Sequence, residues 1–135
     1  MMIEASVTIE GETKSRLAFS AEAIDQARFL WAEHGPLMFH QSGGCCDGSS
    51  PMCFTAGEFW TTDSDILLGV IDIAVEGEPM PIEFWMSREQ FEYWNHTHLT
   101  IDVVPGRGSG FSLEAPRGLR FLIRSRLMET EAPFA

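Results

Sequence analysis

Ser20-Ala21-Glu22-Ala23-Ile24-Asp25-Gln26-Ala27-Arg28-Phe29-Leu30-Trp31-Ala32-Glu33-His34-Gly35-Pro36-Leu37-Met38-Phe39-His40-Gln41-Ser42-Gly43-Gly44-Cys45-Cys46-Asp47-Gly48 runs from a helix start, through one strand, into a glycine-rich loop. The Ser20 hydroxyl suits an N-cap, where it accepts from an otherwise unpaired amide of the first turn. Ala23, Ile24, Ala27, Leu30 and Trp31 recur at spacings of three and four, which puts them on one helical face. Gly35 stands in the usual C-terminal position and Pro36 cannot continue the helix. The spacing therefore predicts a helix over 21–34. Leu37 to Gln41 is then a short strand that carries His40 to the mouth of the loop.

Upstream, Ile3, Ala5, Val7 and Ile9 alternate with Glu4, Ser6, Thr8 and Glu10, a half-buried strand pattern that turns at Gly11 to Lys14. Downstream, Ile66 to Val75 is apolar and β-branched, and reads as a central strand interrupted by Gly69. Ile82 to Met86 is another strand. Ser87 followed by Gln90 is a capping box that opens a short helix over 88–95, burying Phe91 and Trp94. Leu99, Ile101 and Val103 alternate as a strand, Phe111 to Glu114 is read as a further one, and Leu119 to Leu127 closes the chain. The fold class is mostly β (α+β): a compact β-sandwich or partly open barrel with two short helices. A doubly wound parallel sheet would need more helical crossovers. The expected core contains Ile24, Leu30, Trp31, Phe39, Leu67, Ile71, Phe91, Ile101, Phe111 and Phe121, and Trp60, Trp85 and Trp94 are read as core as well.

The 135 residues amount to one domain, expected over 1–127 with a loose tail at 128–135. At 44% hydrophobic and 21% charged the chain is globular in composition, which excludes wholesale disorder. Nine Lys and Arg stand against twenty Asp and Glu, a formal net charge of −11. This balance argues against nucleic acid and anionic membranes as partners, since both bind by having phosphates neutralised. No apolar run approaches the ~20 residues that span a bilayer, and Met1 to Lys14 lacks an apolar signal core. The expected compartment is the cytoplasm. The charge is uneven: residues 1–106 hold four basic and seventeen acidic side chains, whereas Arg107, Arg117, Arg120, Arg124 and Arg126 gather near the end. Pairing with acidic residues of the same chain is one reading of these arginines, and an anion or acidic-partner patch is the other.

Cys45, Cys46 and Cys53 are the three cysteines, all within nine residues. An odd number without a secretory signal is not a disulfide framework. Glycines at 43, 44 and 48 allow tight turns that expose side chains, and loop amides can support a thiolate. Thiolates favour soft metals, iron or zinc among them, with His40 as a nitrogen ligand. The spacing is not that of a zinc finger. A tight turn with incidental small thiols is the plain structural alternative. His96-Thr97-His98 would share a face on a strand but falls at a helix end, where histidine also serves the last carbonyls. The chain has no phosphate-binding loop, dinucleotide fingerprint or G-x-S-x-G elbow.

The stretch His34 to Gly48 resembles the signature of the bacterial domain-of-unknown-function 779 family. So do Gln90-Phe91-Glu92-Tyr93-Trp94 and Ile101-Asp102-Val103-Val104-Pro105-Gly106-Arg107-Gly108. The likeness covers about residues 17–127. It implies an accessory role in aldehyde or alcohol metabolism, because genes of that family are often seen beside aldehyde dehydrogenase genes. A more distant likeness is to the HesB-like A-type iron–sulfur carriers, which place a helix and a short strand before a G-C-S-G loop. Gly44-Cys45-Cys46-Asp47-Gly48 is similar to that loop, with Cys46 in the place of the ligand cysteine. Thr97 to Asp102 and Gly110-Phe111-Ser112-Leu113-Glu114-Ala115-Pro116 resemble the carriers' later segments. The carriers end in a C-G-C pair, and this chain has no cysteine after Cys53.

Three functional readings follow. In the first, the loop binds a soft metal or an iron–sulfur cluster, with Cys46 the leading ligand, Cys45 and Cys53 supporting it, and His40 the fourth. A homo-oligomer would bring several loops together to complete the shell. In the second, the protein is a metal-free interaction module associated with an aldehyde dehydrogenase. In the third, Cys46 is a nucleophile with His40 as base, although no orienting Asp or Asn for the histidine is evident from the sequence.

Overall fold

The computed structural model describes residues 2–41, 48–106 and 112–128. Its elements are β1 (Ile3–Glu4), β2 (Leu17–Phe19), α1 (Ala21–His34), β3 (Leu37–Gln41), β4 (Met52–Thr55), β5 (Asp65–Asp72), β6 (Pro81–Ser87), α2 (Arg88–Trp94), β7 (Thr97–Pro105), a 3-10 turn (Ala115–Arg117) and β8 (Leu119–Leu127). The strands form two four-stranded sheets, β1-β2-β7-β8 and β4-β3-β6-β5. Each is mixed in the same way: a central parallel pair, β2 with β7 or β3 with β6, is flanked by antiparallel outer strands. The mostly β, α+β reading therefore holds, and the described strands close no barrel.

Both helices form where capping chemistry places them. Ser20 Oγ accepts from the Ala23 amide and Ser87 Oγ from the Gln90 amide, each satisfying a donor that the helix cannot. Gly35 ends α1 at φ +86°, a conformation an L side chain resists, and its N–H donates to the Trp31 carbonyl.

The sheets meet through aromatic rings. Phe39 of β3 lies 5.3 Å from Phe19 and 4.9 Å from Phe121, both edge-on from the other sheet, and 5.7 Å from Phe84, stacked from the neighbouring strand. All four are fully buried. Offset and edge-on aromatic pairs add to the area they bury, so Phe39 is the centre of the core.

Several expectations are corrected. The N-terminal strand pairs only over Ile3–Glu4. The chain then switches sheets, with the Ala5 amide bonding the Leu17 carbonyl and the Ser6 amide bonding Val70. Gly69 permits this crossing, because a Cβ there would sit 2.9 Å from Ala5 Cβ. A register shift between Leu67 and Gly69 changes the phase of β5, so Leu68 rather than Leu67 is buried and the strand ends at Asp72, short of Val75. Trp31 and Phe91 are only half-buried, packed against the core edge. Trp60 is 85% exposed and is not core. Ser112 to Glu114 is a turn leading into the 3-10 segment at Pro116, not a strand, and Phe111 lies outside the described residues.

Candidate functional site

The strand β3 carries His40 and Gln41, both buried, to the start of the Cys loop. Cys45 and Cys46 lie outside the described residues. What the structure gives is the frame around them. The loop's exit is hydrogen-bonded to β8, with the Gly48 amide donating to the Ile123 carbonyl at 2.7 Å and the Ile123 amide to the Ser49 carbonyl at 2.8 Å. Arg120 closes the same junction, donating to the Gly48 carbonyl at 2.9 Å and to Ser50 Oγ at 2.8 Å. One end of the loop is thus built on one sheet and the other end is fastened to the second.

At the entrance, His40 Nε2 lies 2.7 Å from Asp65 Oδ1. The histidine is 3% exposed and the carboxylate 10%. Asp65 Oδ2 also accepts from the Thr62 amide, which fixes the carboxylate at the start of β5. Phe59 covers the imidazole, ring centroids 4.2 Å apart. Burial pushes the Asp65 carboxyl up, but the bonds from His40 and Thr62 together with the histidine charge outweigh it and hold the group below its usual range. A carboxylate on one ring nitrogen orients the imidazole and raises the basicity of the other. Asp65 is the residue that the sequence reading missed. Its signal was the Thr62-x-x-Asp65 turn, which orients the carboxylate but says nothing of a partner 25 positions away.

Cys53 occupies a different setting. It pairs opposite Phe39, is fully buried, and burial pushes its thiol well above the ordinary range, with the Glu114 charge adding to the effect. Its amide donates to Ser112 Oγ at 2.8 Å, and its carbonyl accepts from the Leu113 amide at 3.0 Å. Ser112 Oγ in turn donates to Glu114 Oε1, and Glu114 Oε2 accepts from the Phe121 amide at 3.2 Å. A protonated, enclosed thiol packs as a small apolar group. Among the described residues no three His, Cys, Asp or Glu side chains converge as a metal site.

The two histidines of the H-T-H stretch separate. His96 is exposed ahead of β7, whereas His98 is 3% exposed with Nε2 3.1 Å from Glu4 Oε1. The arginines divide as well. Arg124 pairs with Asp102 at 2.8 Å, which bears out internal pairing at that position, and Arg117 lies over the Phe29 ring at 3.7 Å. Arg107 lies outside the described residues. No helix is long and apolar enough to cross a membrane among the described residues.

Two mixed sheets on one aromatic core, with a buried His–Asp pair where β3 leads into the Cys-bearing glycine stretch, define a small α+β protein. Residues 24–127 match the family described as Domain of unknown function (DUF779), and the chain belongs to that family. No curated protein and no solved structure matches it.

Proposed function

We propose that the Cys loop binds a soft metal ion or an iron–sulfur cluster, with Cys46 and Cys45 as thiolate ligands and His40 as the nitrogen ligand. The observation that carries this reading is the buried His40–Asp65 pair at the loop entrance. Metal-binding histidines commonly hold a carboxylate on the nitrogen that faces away from the metal. The likeness of Gly44 to Gly48 to the glycine loop of the HesB-like carriers supports the choice of Cys46. Cys53, buried with a raised pKa, contributes least, because a ligand sulfur must lose its proton. A homo-oligomer would supply the ligands that a single loop lacks, and the biological role would be accessory to an aldehyde dehydrogenase. The metal would supply Lewis acidity or electron transfer, while this chain's part is to orient His40 and to hold both loop ends. Metal analysis of anaerobically purified protein tests the reading. Iron or zinc should be bound, and Cys46→Ser should remove it with the fold intact. Protein that stays metal-free after reconstitution would overturn it and leave the metal-free module, checked by co-purification with an aldehyde dehydrogenase.

The same pair favours a second reading. Asp65 supplies the orienting carboxylate that a Cys46–His40 nucleophile and base require. Rapid alkylation of Cys46 in metal-free protein, slowed by Asp65→Asn, would select it.

A further inference from the structure

We infer that Lys14, His98 and Arg126 form a binding site for a phosphate group, on the sheet away from His40. His98 and Arg126 are directly opposed across β7 and β8, so their side chains leave the same face of the sheet. With Lys14 and Met128 they line one cleft of about 200 Å³. It gathers two permanent cations and an imidazole on a chain of net charge −11.

Two features separate this cleft from ordinary surface charge. The first is that its cations are not used internally. Arg124, two residues earlier on the same face, is neutralised by Asp102, and Arg120 is bound to Gly48 and Ser50. Lys14 and Arg126 make no ion pair or hydrogen bond among the described residues. The second is His98 itself. It is 3% exposed, its Nε2 faces Glu4, and its buried Nδ1 has no hydrogen-bond partner among the described residues. A buried polar atom without a partner calls for one, and in a cleft lined by two cations that partner is most favourably an oxyanion. An ammonium, a guanidinium fork and an imidazole together offer more donors than a planar carboxylate can accept, and a tetrahedral dianion has oxygens for each.

The test is calorimetric titration with inorganic phosphate and, in parallel, glycerol phosphate, which distinguishes free phosphate from a phosphate ester as the preferred form. The expected result is saturable one-site binding, weakened about tenfold or more by the double variant Lys14→Gln/Arg126→Gln, since each removes a charge-assisted contact. Both side chains are exposed, so the fold should survive, as circular dichroism will show. Arg117→Gln, on a cation held over Phe29, should leave binding unchanged. The Nδ1 resonance of His98 should move on titration. Absence of saturable binding, affinity unaltered in the double variant, or an unresponsive His98 Nδ1 would each overturn the site.

Discussion

Each sheet holds a buried histidine facing a carboxylate, and the two pairs differ in what surrounds the acid. His40 and His98 are equally enclosed at 3% exposure, but Asp65 is 10% exposed and Glu4 53%. Asp65 is held by a second bond from the Thr62 amide and sits at the start of a long paired strand. Glu4 ends a two-residue edge strand. A fixed, dry carboxylate can dictate an imidazole's orientation, whereas a wet one is screened and contributes little. Order around the acid therefore separates a histidine held firmly by its carboxylate from one whose carboxylate is largely screened.

The comparison breaks entirely if the core is opened. Phe39→Ala removes the ring that touches Phe19, Phe84 and Phe121, one residue from His40, and should cost about 3–5 kcal/mol by chemical denaturation. A loss below ~1 kcal/mol would show that the aromatic cluster is not the joint between sheets. Asp65→Asn tests the dry pair directly. The amide can still accept from His40 but then presents donors to the Thr62 amide, so about 1–3 kcal/mol of stability should be lost. Any bound metal should be held about 10–100-fold more weakly. Because the Asp65 pKa is depressed in the folded protein, its contribution is present above the usual carboxylate range. It should be lost as pH falls through the lowered value, and Asp65→Asn should flatten the acid limb of the stability profile.

Glu114 sharpens the comparison from the opposite direction, as a buried carboxyl with no ion-pair partner among the described residues. Burial raises its pKa despite the bonds from Ser112 and Phe121. A raised acid is protonated more readily in the folded state than in the unfolded one, so its contribution is fully present below the ordinary carboxylate range. It declines as pH rises through the shifted value. Glu114→Gln can keep both hydrogen bonds, accepting from Phe121 and donating to Ser112. It should abolish that decline, read as thermal midpoints between mildly acidic and neutral pH. The smallest effect is expected at the wet pair: Glu4→Gln should change stability by no more than about 0.5 kcal/mol. A loss comparable to that of Asp65→Asn would mean that exposure does not rank the two pairs.

Sequence alone determined the local elements. The helix at 21–34, the strand at 37–41, the cap at Ser87 and the mostly β class all follow from chemistry that acts over a few residues, and the fold contains each of them. It also picked out His40 as a candidate ligand or base, and Arg124 as one of five arginines read for internal pairing or an anion patch. The short buried strand Leu17–Phe19 left no trace, since three enclosed residues do not alternate, and Met52–Thr55 was hidden beside the loop. The bulge at Gly69 moved burial from Leu67 to Leu68 by a pairing shift that periodicity cannot foresee. The candidate sites depended on tertiary structure still more. Asp65 meets His40 only because β6 lies between β5 and β3, and Lys14 joins His98 and Arg126 only because β2 pairs in parallel with β7. Periodicity and capping report which way a side chain faces along its own element; which distant charge it faces is set by strand order, and strand order is decided by how two sheets bury one shared core.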